Sequence, residues 1–270
     1  MNLRWRPRRL PTRVETADTF AKHRPDAPAG FFEAEAAGLR WLAAAGGART
    51  VAVASVAHES IVLERIVPAH PTPAAAHALG RDLARTHAAG APAWGARPDG
   101  WDGPLFIGER GMPATTASSW GAFYAQARVL SFLPPALEAG FLTAREAARV
   151  REACARIGAG DLDDDAPPAR IHGDLWAGNL LFDARGAVLI DPAAHGGHPE
   201  TDLAMLALFG APHLDAILAG YAEAAPLRPG WRDRLPLHQL HPLAVHAAGQ
   251  GRHYGVALAD AAARVLALPA

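Results

Sequence analysis

The sequence predicts an α+β fold of two lobes, and three observations predict it. Up to residue 66 the apolar residues fall in short runs with strand character, interrupted by one helical stretch. Proline then recurs at Pro68, Pro71 and Pro73, which breaks the chain where one lobe would pass into the next. Beyond that break most of the periodicity is helical, apart from a strand–turn–strand unit within residues 180–190. The boundaries read from this pattern are 1–66 for a β-rich N-terminal lobe and 67–270 for a mainly α-helical lobe.

Along the chain, Thr12 to Glu15 has room for one strand before Thr19-Phe20-Ala21-Lys22-His23, an alternating stretch that reads as another. Lys22 is the only lysine among 26 Lys and Arg residues, so a strong bias toward arginine has left a single ammonium in place. The two side chains are not equivalent: lysine is a compact point charge on a flexible stem, arginine a wide planar fork. Phe31 to Leu42 has helical spacing, with Phe32, Ala36, Leu39 and Leu42 as its apolar side. Thr50 to Ala54 and Ser60 to Glu64 are β-rich. Ala74 to Ala89 reads as a helix with Leu79, Leu83 and His87 on one face.

Residues 91–116, rich in Gly, Pro and Trp, read as an ordered loop, a class of segment that often carries binding residues. Trp94, Asp99, Trp101 and Trp120 are candidates for a ligand-facing wall, because an aromatic ring covers apolar ligand surface while its polar edge bonds hydroxyls. Packing in the core is the competing reading for each aromatic. Thr143 to Ile157 is an amphipathic helix. The connector GAGDLDDDAPP (158–168) reads as a solvated acidic loop, since Asp161, Asp163, Asp164 and Asp165 lack the ligand-spaced return of a metal site. Pro199 to Met205 reads as a helix start, capped by Thr201 or Asp202 with Glu200 adding charge at its positive end.

Composition narrows the function classes. The chain has 270 residues, 50% of them hydrophobic, enough for a sizeable core. A net charge of −1 argues against nucleic-acid or membrane-surface partners. No run of 18 uncharged apolar residues suggests a membrane span, and the basic start MNLRWRPRRLPTR lacks the apolar segment of a secretory signal. Cys154 is the only cysteine, so no internal disulfide is expected; its helical surroundings suit a structural thiol, and the cytoplasm is the expected compartment. Nothing in the sequence speaks to oligomeric state.

The chemistry concentrates in Ile171-His172-Gly173-Asp174-Leu175-Trp176-Ala177-Gly178-Asn179, followed by Asp191. Pairing Leu180–Phe182 with Ala187–Ile190 about the turn Asp183-Ala184-Arg185-Gly186 brings Asn179 beside Ile190 and Asp191. Asp174 is then a free carboxylate in a loop. One amide oxygen and one carboxylate converge beside it, a set suited to a hard cation such as Mg²⁺. A base next to such a cation is the equipment of phosphoryl transfer.

These motifs resemble the kinase-like small-molecule phosphotransferases, whose loop reads H-G-D, four residues, then N. Within that group HGDLWAGN, IDPA, GHPETDLAM and LFG are similar to the fructosamine kinase (ketosamine 3-kinase) family, and Trp176 points there rather than to aminoglycoside or choline kinases. The stretches FEAEAAGL, WGAFYAQAR and YAEAAPLRPGWRDR extend the resemblance. It implies a two-lobed protein-kinase-like fold of the aminoglycoside phosphotransferase type, with ATP between the lobes. Lys22, paired with Glu35 rather than Glu33, would contact the phosphates. Backbone groups of the hinge at Glu64 and Ile66 would meet the adenine. Asn179 and Asp191 would hold Mg²⁺, and Asp174 would take the acceptor's proton. Trp176, Trp120 and Arg128 would face the substrate, while His172 and Asp202 would support the loop. The acceptor implied is a ketosamine, phosphorylated on its third carbon; the product is unstable and releases the amine, a repair of glycation.

The resemblance is incomplete at the amino end. The family opens with a glycine-containing hairpin over the phosphates, whereas the first glycine here is Gly30, after Lys22. The N-terminal lobe is thus expected to be shortened. A start further upstream, a truncated loop whose arginines meet phosphate, and a weakly binding regulator without turnover all fit this feature; the intact Asp174, Asn179 and Asp191 favour catalysis. The acceptor could also be another aminated metabolite. His172, Asp174, Asp191 and His195 make a further set, that of a metal-dependent hydrolase, but it leaves Asn179 without a role.

Overall fold

The computed structural model describes residues 12–269. Strands β1 (Thr12–Glu15) and β2 (Thr19–His23) form a hairpin, closed where the Thr16 amide donates to the Thr19 carbonyl at 2.9 Å. Helix α1 (Phe31–Ala43) follows, then β3 (Val53–Ala57) and β4 (Ser60–Glu64); the antiparallel sheet runs β1-β2-β4-β3. Lys22 lies opposite Ile61, which is fully buried, so the ammonium rises from the middle of the sheet. Phe32, Ala36 and Leu39 of α1 pack against Val51, Ile61 and Leu63. Each large apolar side chain buried in this way contributes roughly 1.5–3 kcal/mol.

The third strand starts later than the β-rich run Thr50–Ala54 suggests. Thr50 instead bridges Leu189 in parallel, and the Val51 amide donates to the Leu189 carbonyl at 3.0 Å. The first half of that apolar run therefore ties the sheet to a second hairpin lower in the molecule.

Helix α2 (Pro73–Ala88) is capped by Thr72, whose hydroxyl accepts from the Ala75 amide at 3.1 Å. The segment expected to be a loop contains a small hairpin, β5 (Leu105–Ile107) with β6 (Arg110–Met112). Strands of three residues are too short for a period to register in sequence. Helix α3 (Trp120–Phe123) runs into a π-helix at Tyr124–Val129, a 3₁₀ turn at Leu130–Phe132 and α4 (Leu133–Glu138). Helix α5 (Ala144–Gly158) opens with a capping box between Thr143 and Glu146. Then come β7 (Ala169–Ile171), the hairpin β8 (Leu180–Asp183) and β9 (Gly186–Leu189), and β10 (His195–Gly197), which pairs with β7. Helices α6 (Pro199–Phe209), α7 (Leu214–Ala224), α8 (Leu235–Ala247) and α9 (Arg252–Leu266) complete the fold.

One core gathers Phe123, Tyr124, Phe132, Val150, Ile157, Leu240, Leu258 and Val265; another joins Leu79, Leu83, Leu175, Leu203, Ile217 and Tyr221. In the second core α2 and α7 touch backbone to backbone. A Cβ on Gly80 would lie 1.9 Å from the Ile217 carbonyl oxygen, and one on Gly220 2.0 Å from that of His77. Among the described residues no helix is long and apolar enough to cross a membrane.

Two local expectations change. The cap of α6 is His198, whose Nδ1 accepts from the Glu200 amide at 3.1 Å; Thr201 and Asp202 lie inside the first turn and point inward, fully engaged elsewhere. The acidic connector is not simply solvated. Asp163 accepts from the Gly121 amide at 2.8 Å, Asp164 lies 3.2 Å from His198 Nε2, and Arg228 pairs with both Asp164 and Asp165. These carboxylates pin the connector to α3 and α6.

Candidate active site

The loop after β7 turns at Gly173, which is left-handed (φ 79°); a Cβ there would lie 2.4 Å from the Ala193 carbonyl oxygen. Asp202, buried completely, accepts from the His172 amide at 2.8 Å and the Gly173 amide at 2.9 Å. His87 Nε2 donates to the same carboxylate at 3.1 Å, and the Tyr221 hydroxyl lies 2.9 Å from His87 Nδ1. Burial alone would raise the Asp202 carboxyl, but these donors and the nearby His87 hold it below the usual aspartate range. Three helices, α2, α6 and α7, thus position one turn of loop.

His172 completes the support. Its Nε2 donates to the Ile190 carbonyl at 2.9 Å and its Nδ1 accepts from the Asp174 amide at 3.3 Å, an arrangement that needs the neutral ring. Burial favours that same form. Asp174 follows, half-buried, with its Oδ2 3.2 Å from Asn179 Nδ2. Burial pushes the Asp174 carboxyl up to about 7; the Asn179 hydrogen bond opposes this and the Asp191 charge adds to it.

The hairpin closes on the same point. Leu180 pairs with Leu189, and the Ile190 amide donates to the Asn179 carbonyl at 3.1 Å. Asn179 Nδ2 also donates to the Asp174 carbonyl at 2.8 Å and contacts that of Asp191 at 3.4 Å. With the nitrogen so occupied, Oδ1 makes no hydrogen bond among the described residues. Asp191 is held left-handed (φ 54°) before Pro192, and its side chain is 37% exposed. One carboxylate oxygen pairs with Lys22 Nζ, which also lies 2.7 Å from Glu35. Burial would lower the Lys22 ammonium, but Glu35 and Asp191 together raise it above the ordinary lysine range. The donor set fits Mg²⁺: one free amide oxygen and one partly exposed carboxylate with an oxygen to spare. Glu33 makes no bond to Lys22, and its Oε2 is buried without a partner.

At the hinge the Glu64 side chain faces Arg49 at 3.6 Å and pairs with Arg185, and its amide donates to the Ala52 carbonyl at 2.8 Å. The Arg65 amide is taken by the Asp18 carbonyl at 3.0 Å. The Ile66 amide has no backbone partner among the described residues. Half-buried Phe20, Val53, Ile66, Leu181 and Ile190 gather at the edge of the N-terminal core. Leu181 and Ile190 were not singled out from the sequence as candidate ligand contacts, although Ile190 directly precedes Asp191 on the same hairpin.

The expected substrate wall divides. Trp176 is 40% exposed on the loop itself. Trp120 is buried and stacked on Tyr124 with centroids 4.8 Å apart, so it belongs to the core. Trp94 is likewise buried, Trp101 donates to the Pro104 carbonyl at 2.9 Å, and Asp99 pairs with Arg170 at 3.3 Å. Arg128 is 1% exposed, its guanidinium 4.5 Å from the Phe123 ring, its Nε 3.2 Å from His195 Nε2 and its Nη1 2.9 Å from the Pro113 carbonyl. Trp120 lies against Tyr124, His198 and His238, where a large indole gains most by burial, and Arg128 is held by the Pro113 carbonyl and His195.

The hydrolase set does not assemble. His195 Nδ1 donates to the Ala193 carbonyl at 2.7 Å while Nε2 accepts from Arg128, and both His172 nitrogens are engaged as above. Neither ring offers a lone pair beside Asp174. Among the described residues the ligand atoms of His198, Glu200 and His238 do come within 4.8 Å of one another. They are already paired, His198 with Asp164, Glu200 with Nε and Nη2 of Arg234, and His238 with Thr201 at 3.1 Å.

A model of the fructosamine kinase family matches residues 10–267. The "Probable ketoamine kinase" of Enterococcus faecium is 31% identical over 239 residues, covering 87% of this chain and 83% of that protein. Its namesake in Thermus thermophilus is 33% identical over 228 residues, covering 84% and 80%. A crystal structure from Thermobifida fusca, provisionally named a fructosamine-3-kinase, superposes with a TM-score of 0.86 at 46% identity, covering 93% of this chain and 86% of that one. ADP-bound aminoglycoside phosphotransferase APH(2'')-Ib shares the two-lobed fold, with a TM-score of 0.54 at 13% identity over 94% of this chain and 90% of that one.

Proposed function

We infer, since this chain belongs to the fructosamine kinase family and is an ATP-dependent phosphotransferase, that its acceptor is a ketosamine and the target its 3-hydroxyl. The observation that carries this reading is Asp174, a half-buried carboxylate two residues before the exposed indole of Trp176 and backed by Asn179, Asp191 and Lys22.

ATP would lie between the lobes, with its base near the Ile66 amide and the apolar side chains of Leu181 and Ile190. Lys22, braced by Glu35, would contact the phosphates as a point charge. Asn179 Oδ1 and the second oxygen of Asp191 would hold Mg²⁺, which when bound carries phosphate charge. Asp174 accepts a hydrogen bond from the 3-hydroxyl and takes its proton as that oxygen bonds to the terminal phosphorus; the bond from phosphorus to ADP breaks. A carboxylate poised near neutrality suits this transfer. Asp202 and His172 keep the loop in place without touching the reactants. The proposed role is cytoplasmic repair of glycated amines, since the 3-phosphate makes the adduct unstable and frees the amine.

The test is ADP release from MgATP with ribulose-lysine and fructose-lysine, with Asp174→Asn as control. Turnover on a ketosamine that the variant loses by about 10²-fold or more supports both substrate class and base. Nucleotide binding without turnover on any ketosamine would replace this reading with a regulator or a different aminated acceptor.

A further inference from the structure

Rings continue outward from the catalytic loop. Trp176 meets Phe209 edge-on with centroids 6.1 Å apart; Phe209 lies 5.0 Å from His246, His246 4.7 Å from Tyr254, and Tyr254 4.1 Å from His253. They come from separate parts of the chain: the loop, the end of α6, the end of α8 and the start of α9. Trp176 and His253 are exposed, while Phe209, His246 and Tyr254 are half-buried. Trp120 and Phe123 are enclosed in the core, whereas this file, although Tyr254 rests partly on that core, has an exposed ring at each end and only half-buried rings between. Trp176 is also the one aromatic among the exposed large hydrophobic side chains of the described residues.

His246 adds a polar feature of defined sense. Its Nδ1 lies 2.7 Å from the Pro242 carbonyl, which can only accept, so Nδ1 carries the hydrogen and Nε2 of the neutral ring presents a lone pair. The neighbouring Arg252 is turned away to Glu146 at 2.6 Å. The face thus offers π surface and one acceptor. Ring faces attract an ammonium carrying apolar groups, and a lone pair accepts its N–H.

A ketosamine bears a secondary amine, protonated at neutral pH, two carbons from the hydroxyl that Asp174 would address. We propose that the Trp176–Phe209–His246–Tyr254 face receives the amine-bearing arm of the acceptor and selects ketosamines whose amine carries an aromatic or apolar group over those with an acidic one. This inference rests on the ketosamine reading above and deepens it.

The experiment compares fructose ketosamines of benzylamine, methylamine and glycine in wild type, Phe209→Ala, His246→Ala and Tyr254→Ala. Wild type is expected to favour the benzyl arm over the glycine arm by about tenfold in kcat/KM, within the range of one or two ring–cation contacts. Each variant is expected to lower the benzyl-to-methyl ratio of kcat/KM about fivefold. Tyr254→Ala, at a half-exposed position, keeps the test open if Phe209→Ala does not fold. Equal use of the three arms, or a ratio that no variant moves, overturns the subsite while leaving the ketosamine reading intact. Wild type that turns over none of the three removes both.

Discussion

Two buried cations, one on the N-terminal sheet and one in the helical part, differ in what surrounds them. Lys22 stands between two carboxylates, Glu35 and Asp191. Among the described residues Arg128 has none: its partners are two backbone carbonyls, a neutral imidazole and the face of Phe123. The carboxylates raise the Lys22 pKa, whereas burial alone lowers that of Arg128 to about 9. A charge kept ready by partners that can be shared with an incoming phosphate is built for ligand exchange. A charge buried among neutral dipoles is built into the packing.

The sharpest break of this comparison is at Lys22. Lys22→Met is expected to lower kcat by about 10²–10³-fold, the scale of losing one preorganised charge from a developing anion, with steady-state ADP release as the measurement. Lys22→Arg tests shape apart from charge, because a planar fork does not fit the gap between Glu35 and Asp191. About a tenfold loss is expected, and activity within twofold of wild type would mean that charge alone suffices.

Asp202 is the inverse case, a buried anion held by two backbone amides and His87. Asp202→Ala leaves the His172 and Gly173 amides and His87 without their acceptor. It is expected to cost about 3–5 kcal/mol in urea unfolding, as when one partner of a buried charged network is removed. A loss under about 1 kcal/mol would show that water replaces the carboxylate.

Three buried histidines give a pH dependence of stability. Burial lowers His238 to about 4 and His241 to about 3, and carries His195 well below the usual value. The unfolded chain therefore takes up protons first as pH drops. Stability is full above the unfolded value of about 6.5 and declines as pH falls toward 4, by roughly 1.4 kcal/mol per pH unit for each such ring. Urea midpoints at pH 7, 6 and 5 measure this, and a flat profile would mean that these rings are protonated in the folded state.

The smallest effect is expected at Arg128. Arg128→Met replaces a buried charge without a counter-ion among the described residues by an apolar chain of similar length, so stability should change by less than about 1 kcal/mol and kcat/KM by less than about tenfold. A kcat/KM loss well beyond that, with unchanged stability, would return Arg128 to the acceptor site suggested by resemblance.

What the sequence made legible is what local spacing controls. The helix carrying Glu35 follows Lys22 closely, and a four-residue turn between two apolar runs was enough to bring Asn179 beside Asp191. Residue type alone could not tell a buried indole from an exposed one, so Trp120 and Trp176 read alike, although one is core and the other is open. The cap of α6 was missed because imidazole is an unusual cap, and its preference is weaker than that of Thr201 or Asp202. The rings from Trp176 to His253 meet only through tertiary packing of elements scattered over the last third of the chain, and no period in the sequence announces such a face.

The contact between α2 and α7 has a consequence for evolution and for engineering. Gly80 lies two turns before His87 on α2, and Gly220 is next to Tyr221 on α7, so the spacing of the two helices also sets where the imidazole and the phenol stand. A single added methyl at either glycine would act as a shim, prising the helices apart and drawing His87 off the carboxylate beneath the loop. Alanine at either position would be a remote brake on phosphoryl transfer, with its imprint in kcat rather than in the binding of either reactant.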